Sequence, residues 1–120
     1  MQAITYGGWR HCYSLSNGLV DLVVTGDVGP RVIRFGFATL ENEFREYDQM
    51  LGQTGGEEWR VYGGHRLWRA PEDAQRTYIP DNGPVHVTWQ AGLLRATQPV
   101  ESTTGIEKEI EIEVGSLAQV

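Results

Sequence analysis

Apolar and polar residues alternate with a period of two along several stretches of this chain, the pattern of half-buried β-strands. Val20, Leu22 and Val24 alternate with Leu19, Asp21 and Val23, so one face of Leu19–Thr25 is wholly apolar. Asn17-Gly18 separates that run from Cys12–Ser16, and this dipeptide between two such runs predicts a tight hairpin. Thr25-Gly26-Asp27 then turns the chain. Pro30 precedes another strand, Arg31–Phe37, with Ile33, Phe35 and Phe37 on one face and Val32 and Arg34 on the other.

The last third is more regular still. Val85, Val87 and Trp89 face one way while His86, Thr88 and Gln90 face the other, and Ala91-Gly92 turns into Leu93–Gln98. Ser102–Gly105 makes the next turn, into Ile106–Val114. There Ile106, Ile110, Ile112 and Val114 share a face with Lys108, and Glu107, Glu109, Glu111 and Glu113 form the opposite, solvated one. Between these blocks Ala38–Pro84 is irregular. Leu40, Phe44, Tyr47 and Leu51 have the spacing of a short amphipathic helix, but the many glycines admit an irregular excursion equally. The expectation is an all-β chain, an antiparallel β-sandwich, forming one domain over residues 1–120.

Charge narrows the partners. Ten Lys and Arg stand against sixteen Asp and Glu, net −6. This balance argues against a duplex nucleic-acid binder, whose affinity comes largely from neutralising phosphates. No run approaches the roughly 20 apolar residues of a membrane helix, and no basic-then-apolar leader opens the chain. Nine of the ten basic residues are arginine, the residue suited to planar, bidentate contacts and to stacking on aromatic rings. A lone Cys12 allows no internal disulfide and no cysteine-rich zinc site, and it points to a reducing, cytoplasmic setting. His11 and Cys12 are strand neighbours pointing to opposite faces, so no metal site is expected there, and no cofactor is implied.

Chemistry concentrates in Gly63-Gly64-His65-Arg66-Leu67-Trp68-Arg69-Ala70-Pro71-Glu72. Two glycines permit positive φ or close backbone approach. An imidazole, guanidiniums, an indole and a carboxylate follow. Such a set suits a sugar, with an aromatic face for its C–H surface and charged forks for its hydroxyls. An imidazole's unperturbed pKa lies near neutrality, so a histidine at position 65 is also a candidate acid or base. A structural reading of the same residues puts Trp68 in the core, pairs Arg66 with Glu72 and satisfies His65 on backbone.

This string, preceded by the hairpin and the Gly29-Pro30-Arg31-Val32-Ile33 strand, resembles the N-terminal part of galactose-mutarotase-like proteins, in particular uncharacterised members related to aldose 1-epimerases. The Pro80-Asp81-Asn82-Gly83-Pro84 turn and the meander after it fit the same pattern. The resemblance implies half of a β-supersandwich with a monosaccharide or sugar-phosphate cleft. Arg31, His65, Arg66, Trp68 and Glu72 would be its binding residues, with His65 in the position of a catalytic acid. The family's second cleft histidine and its catalytic glutamate have no counterpart here. A base opposite His65 is therefore lacking, and catalysis is not expected. Half a sandwich also leaves a sheet face and an edge uncovered, which a second copy would cover, so a homodimer is expected. The two leading readings are a non-catalytic carbohydrate-binding protein and a homodimerising interaction module without a sugar ligand. An epimerase completed across the dimer is the third.

Overall fold

The structure, a computed structural model, describes residues 1–117. It is all-β, with two antiparallel sheets packed face to face. The first is a five-stranded meander of β1 (Gln2–Tyr6), β2 (Trp9–Ser16), β3 (Val20–Thr25), β4 (Arg31–Phe37) and the two-residue β5 (His65–Arg66), paired in that order. The second is a three-stranded meander of β6 (His86–Gln90), β7 (Leu93–Thr97) and β8 (Glu109–Glu113). Among the described residues no helix is long and apolar enough to cross a membrane. The helix admitted over Leu40–Leu51 does not form; turns and a single bridge from Glu46 to Gly63 replace it.

The apolar stripe of β3 and its neighbours on β2 cover the second sheet. Leu15, Leu22 and Val24 pack with Leu94, Ala96 and Ile112 in one buried cluster. The other face of the five-stranded sheet is buried too. Trp9, Cys12, Val23, Val28, Ile33 and Tyr62 form a second cluster, capped by Met50 and Leu51 from the irregular excursion. The five-stranded sheet is therefore a middle layer, with regular sheet on one side and loop on the other.

A bulge corrects the expected facing of β4. Val23 pairs with Arg34 but Val24 pairs with Val32, which leaves Ile33 as an extra residue. Each bulge residue shifts the alternation by one. Ile33 consequently joins the loop-side cluster, while Val32 and Phe35 pack toward the second sheet, so Ile33 and Phe35 do not share a face.

Turn chemistry explains the remaining order. The Asn17 side-chain oxygen accepts from the Leu19 and Val20 amides at 2.9 and 3.0 Å, and Gly18 takes φ +87. Ala91 and Gly92 both have positive φ, as a two-residue type I′ hairpin demands. Lys108, the residue before β8, is buried and ion-paired to Glu101 at 2.6 Å, whereas residues 106–108 of the expected strand are not strand. Gln98 and Thr104 also donate to that carboxylate. Burial alone would raise the Glu101 carboxyl, but these three donors outweigh it and hold it below the usual range.

Candidate functional site: a cleft of arginine and tryptophan

The excursion returns to the sheet through two glycines. Arg45–Tyr47 runs beside Val61–Gly64, with the Tyr47 amide donating to the Tyr62 carbonyl and the Gly64 amide to the Arg45 carbonyl, both at 3.0 Å. Tyr62, Gly63 and Gly64 all take positive φ, at +46, +113 and +71. A Cβ on Gly63 would lie 2.1 Å from the Arg45 carbonyl oxygen, and one on Gly64 would lie 2.3 Å from that of Val32. Both glycines thus serve positive φ and close approach together.

This curl aims two carbonyls at Arg31. Its Nη1 donates to Val61 O at 2.9 Å and Gly63 O at 2.5 Å, and its Nη2 to Asp81 Oδ2 at 2.8 Å. The guanidinium also lies 5.0 Å over the Tyr62 ring. Arg31 is 1% exposed and bound on two sides, one of them a full carboxylate. The Tyr62 hydroxyl donates to Asn82 Oδ1 at 2.7 Å, and Asn82 Nδ2 donates to Glu58 O at 2.6 Å, so the 80–84 turn is stitched to the excursion.

Arg66, directly opposite Arg31 across β4 and β5, is also buried but differently placed. Its guanidinium lies 3.7 Å from the ring centre of Trp68 and 5.1 Å from that of Trp59. Trp59, Trp68 and Tyr78 meet at 5.1 to 6.4 Å, with Tyr78 edge-on to both indoles. One long hydrogen bond, from Nη2 to Thr77 O at 3.4 Å, is the partner Arg66 has; its buried Nε has none. Burial lowers the proton affinity of this guanidinium, Asp81 opposes that shift, and neighbouring Arg31 adds to it.

Arg31, Arg66 and Trp68 line a cavity of about 210 Å³ together with Arg45, Tyr47, Val61, Gly63 and Gly64. Trp68 is 54% exposed there, not a core residue. Arg45 lies over Tyr47, 4.9 Å from its ring centre, and is exposed. His65 stands apart. It pairs with Val32 on the strand, is exposed, and stacks on Phe44 at 6.5 Å. Glu72 accepts a hydrogen bond from the Tyr78 hydroxyl and makes no pair with Arg66. The structure therefore gathers three of the five sequence-singled residues and leaves His65 and Glu72 outside the cavity wall.

No sequence pattern marks Arg45, Tyr47, Trp59 or Asp81 as site residues. Long-range pairing brings in Arg45 and Tyr47, and no local pattern marks it. Asp81 sits in a turn whose composition signals solvent, yet it is buried against Arg31. A larger cavity of about 310 Å³ lies between residues 79–84 and 98–102. Its carboxylates, Asp81 and Glu101, are already held by Arg31 and Lys108. Among the described residues no group of three His, Cys, Asp or Glu side chains could hold a metal ion. Comparisons with protein-family models, with curated proteins and with solved structures give no match to this chain.

Proposed function

We propose that this protein binds a carbohydrate in the Arg66–Trp68 cleft and carries out no chemistry on it. One observation carries the reading: an exposed indole and a buried guanidinium share the wall of a cavity sized for a single small ligand. An indole face suits the C–H surface of a pyranose, and guanidinium N–H groups suit its oxygens. The sequence resemblance to galactose-mutarotase-like proteins leads to the same ligand class. Against catalysis stands the lining itself, which offers three arginines and one tyrosine but neither a carboxylate nor an imidazole. Proton transfer at a sugar ring is most often carried by one of those two groups within hydrogen-bond reach.

Titrating the protein with hexoses and following tryptophan emission tests the reading. A saturable change is expected, lost in Trp68→Ala with the fold intact. No response to any hexose, uronic acid or hexose phosphate in the wild-type protein would sink it. The second reading, a homodimerising module without a sugar ligand, has its own observation. Leu19, Phe37 and Leu40 are each about half exposed or more and adjoin through the Ala38 amide to Leu19 O and the Leu40 amide to Phe37 O. Light scattering over a dilution series would show a concentration-dependent mass if that patch pairs two copies.

A further inference from the structure

We infer that the ligand of this cleft carries an acidic group, a carboxylate or a phosphate, seated against Arg66 with Arg45 at the rim. The inference rests on the carbohydrate reading for the identity of the rest of the ligand.

Charge pairing inside the wall is uneven. Of the three guanidiniums lining the cavity, Arg31 is matched by Asp81 at 2.8 Å. Ion pairs among the described residues use His11, Arg31, Arg34, Arg95 and Lys108, and neither Arg45 nor Arg66 has a carboxylate within that reach. Arg66 is 6% exposed; its Nε, like that of Arg31, has no hydrogen-bond partner, and its one bond is the long one to Thr77 O. A buried cation is costly unless an anion and hydrogen bonds compensate it. The two indoles beside it return part of that cost, because cation–π contacts strengthen on desolvation. Arg66 lines the cavity, and no carboxylate stands in that wall to balance it.

Hydrogen-bond polarity points the same way. A neutral sugar brings hydroxyl donors as well as acceptors, so its cleft needs acceptors in return. Here the wall carbonyls of Val61 and Gly63 are spent on Arg31, and Tyr47 supplies the one side-chain oxygen. Guanidiniums donate and never accept. The polar side chains of the wall, three guanidiniums, one indole and one phenol, are mainly donors and match a group that only accepts, which is what an ionised carboxylate or phosphate is. The net charge of −6 sharpens the contrast, since this pocket is positive on an otherwise acidic chain.

Calorimetric titration of the full chain with glucose, glucuronate, glucose 6-phosphate and inorganic phosphate, at low and high salt, tests the inference. The acidic sugars are expected to bind at least about tenfold more tightly than glucose, with the gap narrowing as salt rises. Arg66→Gln should close the gap. Should that variant not fold, Arg45→Glu, at an exposed position, carries the test and should abolish the preference for acidic sugars. Equal binding of glucose and glucuronate overturns the acidic inference and leaves the carbohydrate reading standing. Phosphate binding as tightly as glucose 6-phosphate, and lost in Arg45→Glu, upholds the anion site and overturns the carbohydrate reading. Absence of binding by all four ligands overturns both.

Discussion

Arg31 and Arg66 face each other across β4 and β5, and one of them has a carboxylate while the other has two indoles. Like charges directly opposite on a sheet repel. The Arg31–Asp81 pair is what makes the arrangement tolerable, because it neutralises the deeper of the two cations.

Removing either partner should therefore have unequal effects. Asp81→Asn leaves the Arg31 guanidinium buried without its counter-charge, and a loss of about 3–5 kcal/mol in urea denaturation is expected. Arg66→Met exchanges an unpaired buried cation for an apolar chain of similar reach and should stay within about 1 kcal/mol of the parent. Equal losses in the two variants would contradict the idea that Arg66 is electrostatically unsatisfied.

Backbone space makes a second contrast. Gly64→Ala forces a Cβ to 2.3 Å from Val32 O at φ +71, so that variant should lose on the order of 3 kcal/mol or fail to fold. Gly55→Ala, at nearly the same φ of +70, meets nothing within 4 Å and should cost only about 1 kcal/mol, the intrinsic left-handed penalty. Chemical denaturation of the two single variants separates crowding from conformational strain.

What the sequence makes legible is what neighbours decide. The β2–β3 hairpin, the strand Arg31–Phe37 and the acidic face of β8 all follow from local alternation and turn chemistry, although the turn centres on Gly18-Leu19, one residue later than the Asn17-Gly18 dipeptide suggests. β1 escapes notice because Gln2–Tyr6 is an edge strand with little buried surface. The bulge at Ile33 is invisible because the residue types go on alternating while the backbone slips. The cleft is partly legible: Gly63-Gly64 marks a place where a side chain cannot be tolerated, as found. Proximity in sequence misleads for His65 and Arg66. Strand neighbours point apart, so contiguous chemistry on a strand divides between two faces.

Ala91 offers a gain. Its φ of +51 in the two-residue β6–β7 turn suits asparagine better than alanine, and the side chain is exposed. Ala91→Asn should stabilise the protein by roughly 0.5–1 kcal/mol, seen as a higher midpoint in thermal melts, without touching the cleft.

Acid stability has an identifiable contributor. The folded-state Glu101 carboxyl titrates below its ordinary value, held down by Lys108, Thr104 and Gln98. Its contribution is fully present above the unfolded value of about 4.3 and is lost as pH falls through the lower folded value. Lys108→Met should flatten the acid limb of the stability curve below about pH 4 relative to the parent. An unchanged acid limb would refute that assignment.

Cys12 should be chemically silent in the folded state. Burial first, and the Asp27 charge second, push its thiol up to about 11. Thiol-specific reagents at neutral pH are expected to label it only after denaturation, since the thiolate is the reactive form. Rapid labelling of the native protein would mean that the layer over Trp9 and Tyr62 opens readily.

Because the five-stranded sheet is a middle layer, its two coverings differ in kind: one is a ladder of regular amides, the other a chain held by a few scattered bonds. Their protection against hydrogen exchange should differ accordingly, slow in β7, as in β2–β4 beneath it, and fast from Arg45 to Trp68. The cleft belongs to the fast side. A ligand seated there would slow exchange chiefly at Arg45–Tyr47 and Val61–Arg66, and so report its own address residue by residue before any crystal of the complex exists.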